Sequence, residues 1–209
     1  MSVCLAAVNS VAADTGDAAV PATAPSPRAG FQPGTDSNAE ALDVALWSAA
    51  ADGNLDRFEM LLAQGAAAQP RYAVASTSAL WIASQEGHAE IVKLLLALGT
   101  NVEAEDPSDG RTALFQAAQE GHADIVHLLL EYGARVDATS MRTGATPLFV
   151  AAARGHIDVV RFLLAAGADV DVRATANGIS DSPLSIARKR GYPAIVELIE
   201  RSRGTEVRP

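Results

Sequence analysis

The chain has 209 residues, of which 49% are apolar but only 5% aromatic, so any core must be built from Ala, Leu, Val and Ile. Its 16 Lys and Arg against 25 Asp and Glu give a net charge of −9, which argues against nucleic-acid binding through a broad basic face. The single cysteine, Cys4, excludes an intrachain disulfide framework and a zinc site built on several cysteines, and no apolar run approaches the ~18–20 residues needed to span a bilayer.

The first 39 residues differ from the rest. They contain ten alanines, four prolines (Pro21, Pro25, Pro27, Pro33) and one aromatic, Phe31. No apolar period is sustained, and such composition buries too little surface to offset ordering entropy, which predicts a disordered leader over 1–37. The alternative is a secretory signal: Val3 to Val8 is apolar and Val11-Ala12-Ala13 has the small residues of a cleavage site. It lacks a basic opening and falls short of the usual ~15–30 residues, as a truncated or wrongly chosen start would. The expected location is therefore cytoplasmic, or periplasmic or secreted if the leader is a truncated signal. Ser37-Asn38-Ala39-Glu40 has the form of a capping box and predicts that the first helix starts near Asn38.

From there the chain repeats. Gly53, Gly87, Gly121 and Gly155 are each 34 residues apart, and Gly191 follows 36 later. Leu46, Leu80, Leu114, Leu148 and Leu184 keep the same spacing, as do Gly65, Gly99, Gly133 and Gly167. Such self-similarity marks a stacked array. Repeats are expected at about 41–74, 75–108, 109–142, 143–178 and 179–203, with a tail over 204–209.

One unit can be read directly. Thr146-Pro147 opens a helix, because a hydroxyl suits the N-cap and proline the first helical position. Ser78, Thr112 and Ser182 hold the same place, but the first unit has Val44 there. Leu148, Ala151 and Ala152 share one face, and Gly155 lets the chain turn. A second helix presents Val159, Val160, Leu163 and Leu164, and Gly167 ends it. Val170, alternating with Asp169 and Asp171, predicts an extended segment leading into a hairpin turn. Neither short helix can bury its apolar face alone, so neighbouring units must stack.

TPLFVAAARGHIDVVRFLLAAGADVD, with its counterparts at 79–104 and 113–138 and degenerate copies at either end, resembles the ankyrin repeat. The resemblance covers about 41–200 and implies an all-α solenoid of about five helix-turn-helix units joined by hairpin loops. The period of 34 implies one extra residue per hairpin. The last copy departs at Ser185, Arg188 and Tyr192, as a terminal repeat facing water on one side would. The resemblance further implies a non-catalytic module that binds a protein partner on its concave face, as scaffold or adaptor. The alternative is an inhibitor or regulatory subunit that occludes an enzyme. A monomer is expected, with no cofactor, no nucleic-acid partner and no membrane insertion.

Binding in such units uses hairpin tips and the two variable residues before Gly-His. This selects Gln85 and Glu86, Gln119 and Glu120, Arg154, and Lys189 and Arg190, with Asp109, Arg111 and Arg142 at the tips. The sign changes along this ladder. Residues 40–140 hold 15 acids and 5 bases, whereas 141–209 hold 7 acids and 10 bases. Such asymmetry orients a partner.

No nucleophile–base constellation is visible, and there is no phosphate loop or HExxH. His88, His122 and His156 recur at the repeat period. Stacked helices sit ~8–10 Å apart, so this column does not converge on one metal ion, and each His is expected to organise the turn after its glycine. His127 is expected on the solvent side. Glu90, Asp124 and Asp158 lie near second-helix N-termini, where negative charge is favoured. An aromatic column, Trp47, Trp81, Phe115 and Phe149, replaces the His of the family's TPLH motif. It reads as inter-repeat packing more readily than as a stripe of binding hot spots.

Overall fold

The computed structural model describes residues 36–68, 78–176 and 179–205. The leader lies outside this set apart from Asp36 and Ser37, as do Cys4, the segment 69–77 and the last four residues. Among the described residues ten helices fall into five pairs. The pairs are α1 (Asp36–Asp52) with α2 (Leu55–Ala63), α3 (Ala79–Glu86) with α4 (Ala89–Ala97), and α5 (Ala113–Glu120) with α6 (Ala123–Glu131). Then come α7 (Pro147–Arg154) with α8 (Ile157–Ala165), and α9 (Pro183–Arg190) with α10 (Pro193–Thr205).

The helix starts follow from side-chain capping. The hydroxyls of Ser78, Thr112, Thr146 and Ser182 accept from the amides of Trp81, Phe115, Phe149 and Ser185. Asn54 caps α2 by accepting from the Arg57 amide. Helix α1 begins at Asp36, two residues before the start near Asn38 that the sequence predicts. At the other end α10 runs through Thr205, past the expected boundary at 203.

The first helices of successive pairs pack extensively on one another, and the second helices touch less. Helices α1, α3, α5, α7 and α9 are therefore the more closely packed inner row. The core runs between the rows. Leu46, Leu80, Leu114 and Leu148 alternate with Ile91, Ile125 and Val159, all essentially inaccessible to water. Alanines at 49, 83, 117 and 151 allow the close approach of the inner row.

The expected extended segments are mostly turns. The only strand pair among the described residues is β1 (Ala174–Ala176) with β2 (Ile179–Asp181), antiparallel, with Thr175 opposite Ser180. Val170 does not belong to a strand but is buried in the core. The hairpins that lead into α5 and α7, called the third and fourth after the repeats they open, close by backbone bonds, Asp106 N–H to Arg111 O at 2.9 Å and Ser140 N–H to Ala145 O at 2.9 Å.

Candidate functional site

The geometry of the inner row is set first by how one repeat grips the next. Gly87, Gly121 and Gly155 each end an inner helix in the left-handed conformation, with φ of 85°, 89° and 85°. The following histidine does more than organise its own turn, which corrects the sequence expectation. The Nε2–H groups of His88, His122 and His156 donate at 3.0 Å to the carbonyls of Ala51, Gln85 and Gln119 in the preceding repeat. The three rings therefore lie one per interface, each bonded to backbone. Among the described residues there is no group of three or more His, Cys, Asp or Glu that could hold a metal ion.

These bonds fix the ends of the inner helices, where the polar ladder sits. The Gln85 amide donates to Glu86 at 2.8 Å, and the Gln119 amide to Glu120 at 2.7 Å. Gln116 donates across the interface to Gln85 Oε1 at 3.2 Å. Arg154 reaches back to Glu120 at 3.5 Å, so the acidic and basic halves of the ladder meet between the third and fourth repeats. Lys189 Nζ lies 2.6 Å from Asp181 Oδ1, which helps hold that carboxyl below its ordinary range. Arg190 is exposed.

The hairpins bring four of the selected residues together. Asp109, Arg111, Gln119 and Arg142 line a cavity of about 480 Å³ with Phe115 and Phe149. Asp109 is the exception to its expected role. It is 3% exposed and is consumed within the fold. It accepts from Arg111 Nε at 2.6 Å, from the Ser140 hydroxyl at 3.0 Å and from the Arg142 amide at 2.9 Å. Burial, the largest influence, pushes the carboxyl up. The Arg111 hydrogen bond, then the Arg142 amide and the Ser140 hydroxyl, outweigh it and hold the group below its ordinary value. Asp109 therefore ties the third hairpin to the fourth and cannot meet a partner directly. Sequence spacing did not reveal this, because Asp109 resembles any polar tip residue until Ser140 closes over it. Asp106, in the same tip, is likewise buried and accepts from Ser108.

Arg111 lies over the Phe115 ring, 5.5 Å from its centroid. Phe115 is buried with Ala145 and Ala174, and Phe149 packs against that cluster. Trp47 and Trp81 are half-buried against the main core. Phe115 thus packs between repeats, and Phe115 and Phe149 also line the cavity. His127 is exposed on the outer row, edge-on to Phe162 at 4.9 Å and 3.6 Å from Glu131.

Paired antiparallel helices, stacked through glycine–histidine contacts and linked by hairpins, define a repeat solenoid. The chain belongs to the ankyrin repeat family: the family model described as ankyrin repeats (3 copies) matches it over 46–140, 80–174 and 138–208. A search of curated protein sequences returned no match. Ankyrin repeats generally mediate protein–protein interaction and are generally non-catalytic. Among the described residues no helix is long and apolar enough to cross a membrane.

Proposed function

We propose that this protein is a scaffold or adaptor that binds a partner protein along its concave side, as a cytoplasmic monomer without cofactor or nucleic acid. The observation that supports this reading is the state of the polar ladder. Gln85, Glu86, Gln116, Gln119, Glu120 and Arg154 stand on the inner row and hold one another by hydrogen bonds and an ion pair. Side chains already fixed on rigid helices lose little freedom on binding. Acidic groups toward one end and basic groups toward the other give the groove a direction, which orients an incoming partner and speeds association.

The test is affinity capture with the tagged full chain, compared with two charge-reversal variants. Glu86→Lys with Glu120→Lys should lose the native partner. Glu90→Lys with Asp124→Lys, at exposed positions opening the outer helices α4 and α6, should retain it. Loss with the outer pair and retention with the groove pair would place binding on the other side. A single stoichiometric enzyme that is inhibited on capture would favour an inhibitor over an adaptor.

A further inference from the structure

The cavity between the third and fourth hairpins has a composition that specifies what fits it. Its floor is apolar: Phe115, Phe149, Ala145, Val150 and Ala174. Its rim is polar and carries two guanidinium groups and one carboxylate. The carboxylate, Asp109, is neutralised by Arg111 and saturated by Ser140 and the Arg142 amide. Arg111 is in turn held by Asp109 over Phe115. Arg142 differs. Its backbone is fixed by Asp109, but it is exposed, and its guanidinium has no hydrogen-bond or ion-pair partner among the described residues. The cavity therefore presents one uncommitted positive charge beside an aromatic floor.

We propose that this cavity is the anchor pocket for a short peptide segment of the partner protein, taking one large apolar side chain against the half-buried Phe149 and an adjacent Asp or Glu against Arg142. This rests on the concave-side reading above. Three features support a peptide. About 480 Å³ lies within the ~300–1,000 Å³ range of ligand pockets and accommodates a side chain or two. Gln119 lines the cavity and also belongs to the polar ladder, so the pocket is continuous with the groove. An apolar anchor in a pocket beside a complementary charge is how a few residues come to dominate an interface. The fold also provides the rigidity an anchor needs. Asp109 joins the tips at 109–111 and 140–142, and the Thr175 amide donates at 2.8 Å to the Thr143 carbonyl, joining the next hairpin.

Random 12-residue peptides displayed on phage and selected on the immobilised full chain test this directly. Recovered sequences are then titrated, as labelled synthetic peptides, into the ¹⁵N-labelled protein. The expected result is a large apolar residue within two positions of Asp or Glu, with amide shifts centred on Arg111, Thr143, Phe149 and Thr175. Arg142→Glu should weaken these peptides at least tenfold, and Lys in place of the peptide acid should restore part of the loss. Arg142→Gln, with its amide still available to Asp109, should give an intermediate loss and covers the case in which charge reversal impairs folding. Neutral or basic consensus sequences, no recovered peptide, or equal binding by the Arg142 variants would overturn the proposal. Shifts confined to the ladder at Gln85–Glu120 would overturn the pocket but leave concave-side binding standing. Shifts confined to the outer helices would overturn both.

Discussion

Gly121 and His156 form a fitted pair across the third repeat interface. A Cβ built on Gly121 would sit 2.6 Å from His156 Nδ1, while the same ring donates through Nε2 to the Gln119 carbonyl at 3.0 Å. The missing side chain of one repeat is the space occupied by the histidine of the next. The relation repeats as Gly53 with His88 and Gly87 with His122, and Gly155 makes it with Tyr192.

Two glycines with similar backbones separate the terms in this contact. Gly121 has φ 89° and Gly133 has φ 82°, but a Cβ at Gly133 meets nothing within 4 Å. Gly133→Ala should cost only the left-handed backbone penalty, ~1–2 kcal/mol. Gly121→Ala should cost ~1 kcal/mol more, because the ring must move and its hydrogen bond is lost. Urea denaturation of each variant, with and without His156→Ala, measures the excess, which should vanish in the His156→Ala background. Equal costs in both backgrounds would show that the ring gives way freely.

Asp109→Asn should destabilise the protein by ~1–3 kcal/mol, since it removes the charge that Arg111 and Ser140 satisfy in a buried site. The pH dependence has a definite sign. The folded-state value lies below the ordinary 3.8, so the carboxylate's contribution is complete above that value and is lost as pH falls through the folded one. Acid unfolding of wild type should therefore show a slope that Asp109→Asn reduces. Identical slopes in the two proteins would count against the tie between the hairpins.

Asp137 behaves in the opposite sense. Burial pushes its carboxyl up, as does the negative charge of Asp169, against the opposing effect of the Asp169 amide that donates to it at 3.1 Å. A raised value means that the charged form is disfavoured in the folded state, so at neutral pH it reduces stability. Asp137→Asn keeps an acceptor for the Asp169 amide and should raise the thermal midpoint modestly at pH 7. The gain should shrink as the solution is acidified through the folded-state value, where wild type is itself protonated. A midpoint lowered at pH 7 would contradict this sign.

Phe115 and Phe149 occupy one column but differ in burial, and their truncations should differ accordingly. Phe115 is 3% exposed, so Phe115→Ala should cost ~3–5 kcal/mol through lost burial and an unfilled space. Phe149 is half-buried at the cavity wall and should cost less by at least ~1 kcal/mol. Denaturant midpoints on the two variants check the order, and a larger loss at Phe149 would contradict this reading of their burial.

The sequence by itself determined the repeat, its five copies, the capping hydroxyls and the helix-ending glycines. Each of these depends on residues close together in the chain: a hydroxyl bonding an amide three residues on, or a glycine reaching positive φ. The family resemblance also picked out Gln85, Glu86, Gln119, Glu120 and Arg154 as one ladder, because stacking carries a sequence column onto a spatial row. The tertiary structure decided what depends on contacts between repeats. His156 looked like a local turn residue and proved to be bonded to Gln119, 37 positions earlier. Asp109 looked like a hairpin tip and proved to be buried under Ser140, 31 positions later. Glu120 and Arg154 stood on adjacent rungs where the ladder changes sign and proved to pair with each other. A one-dimensional pattern gives each residue's type and place in the repeat. Whether a polar group faces solvent or a neighbour depends on the distance and angle between stacked units, and packing of the whole array sets both.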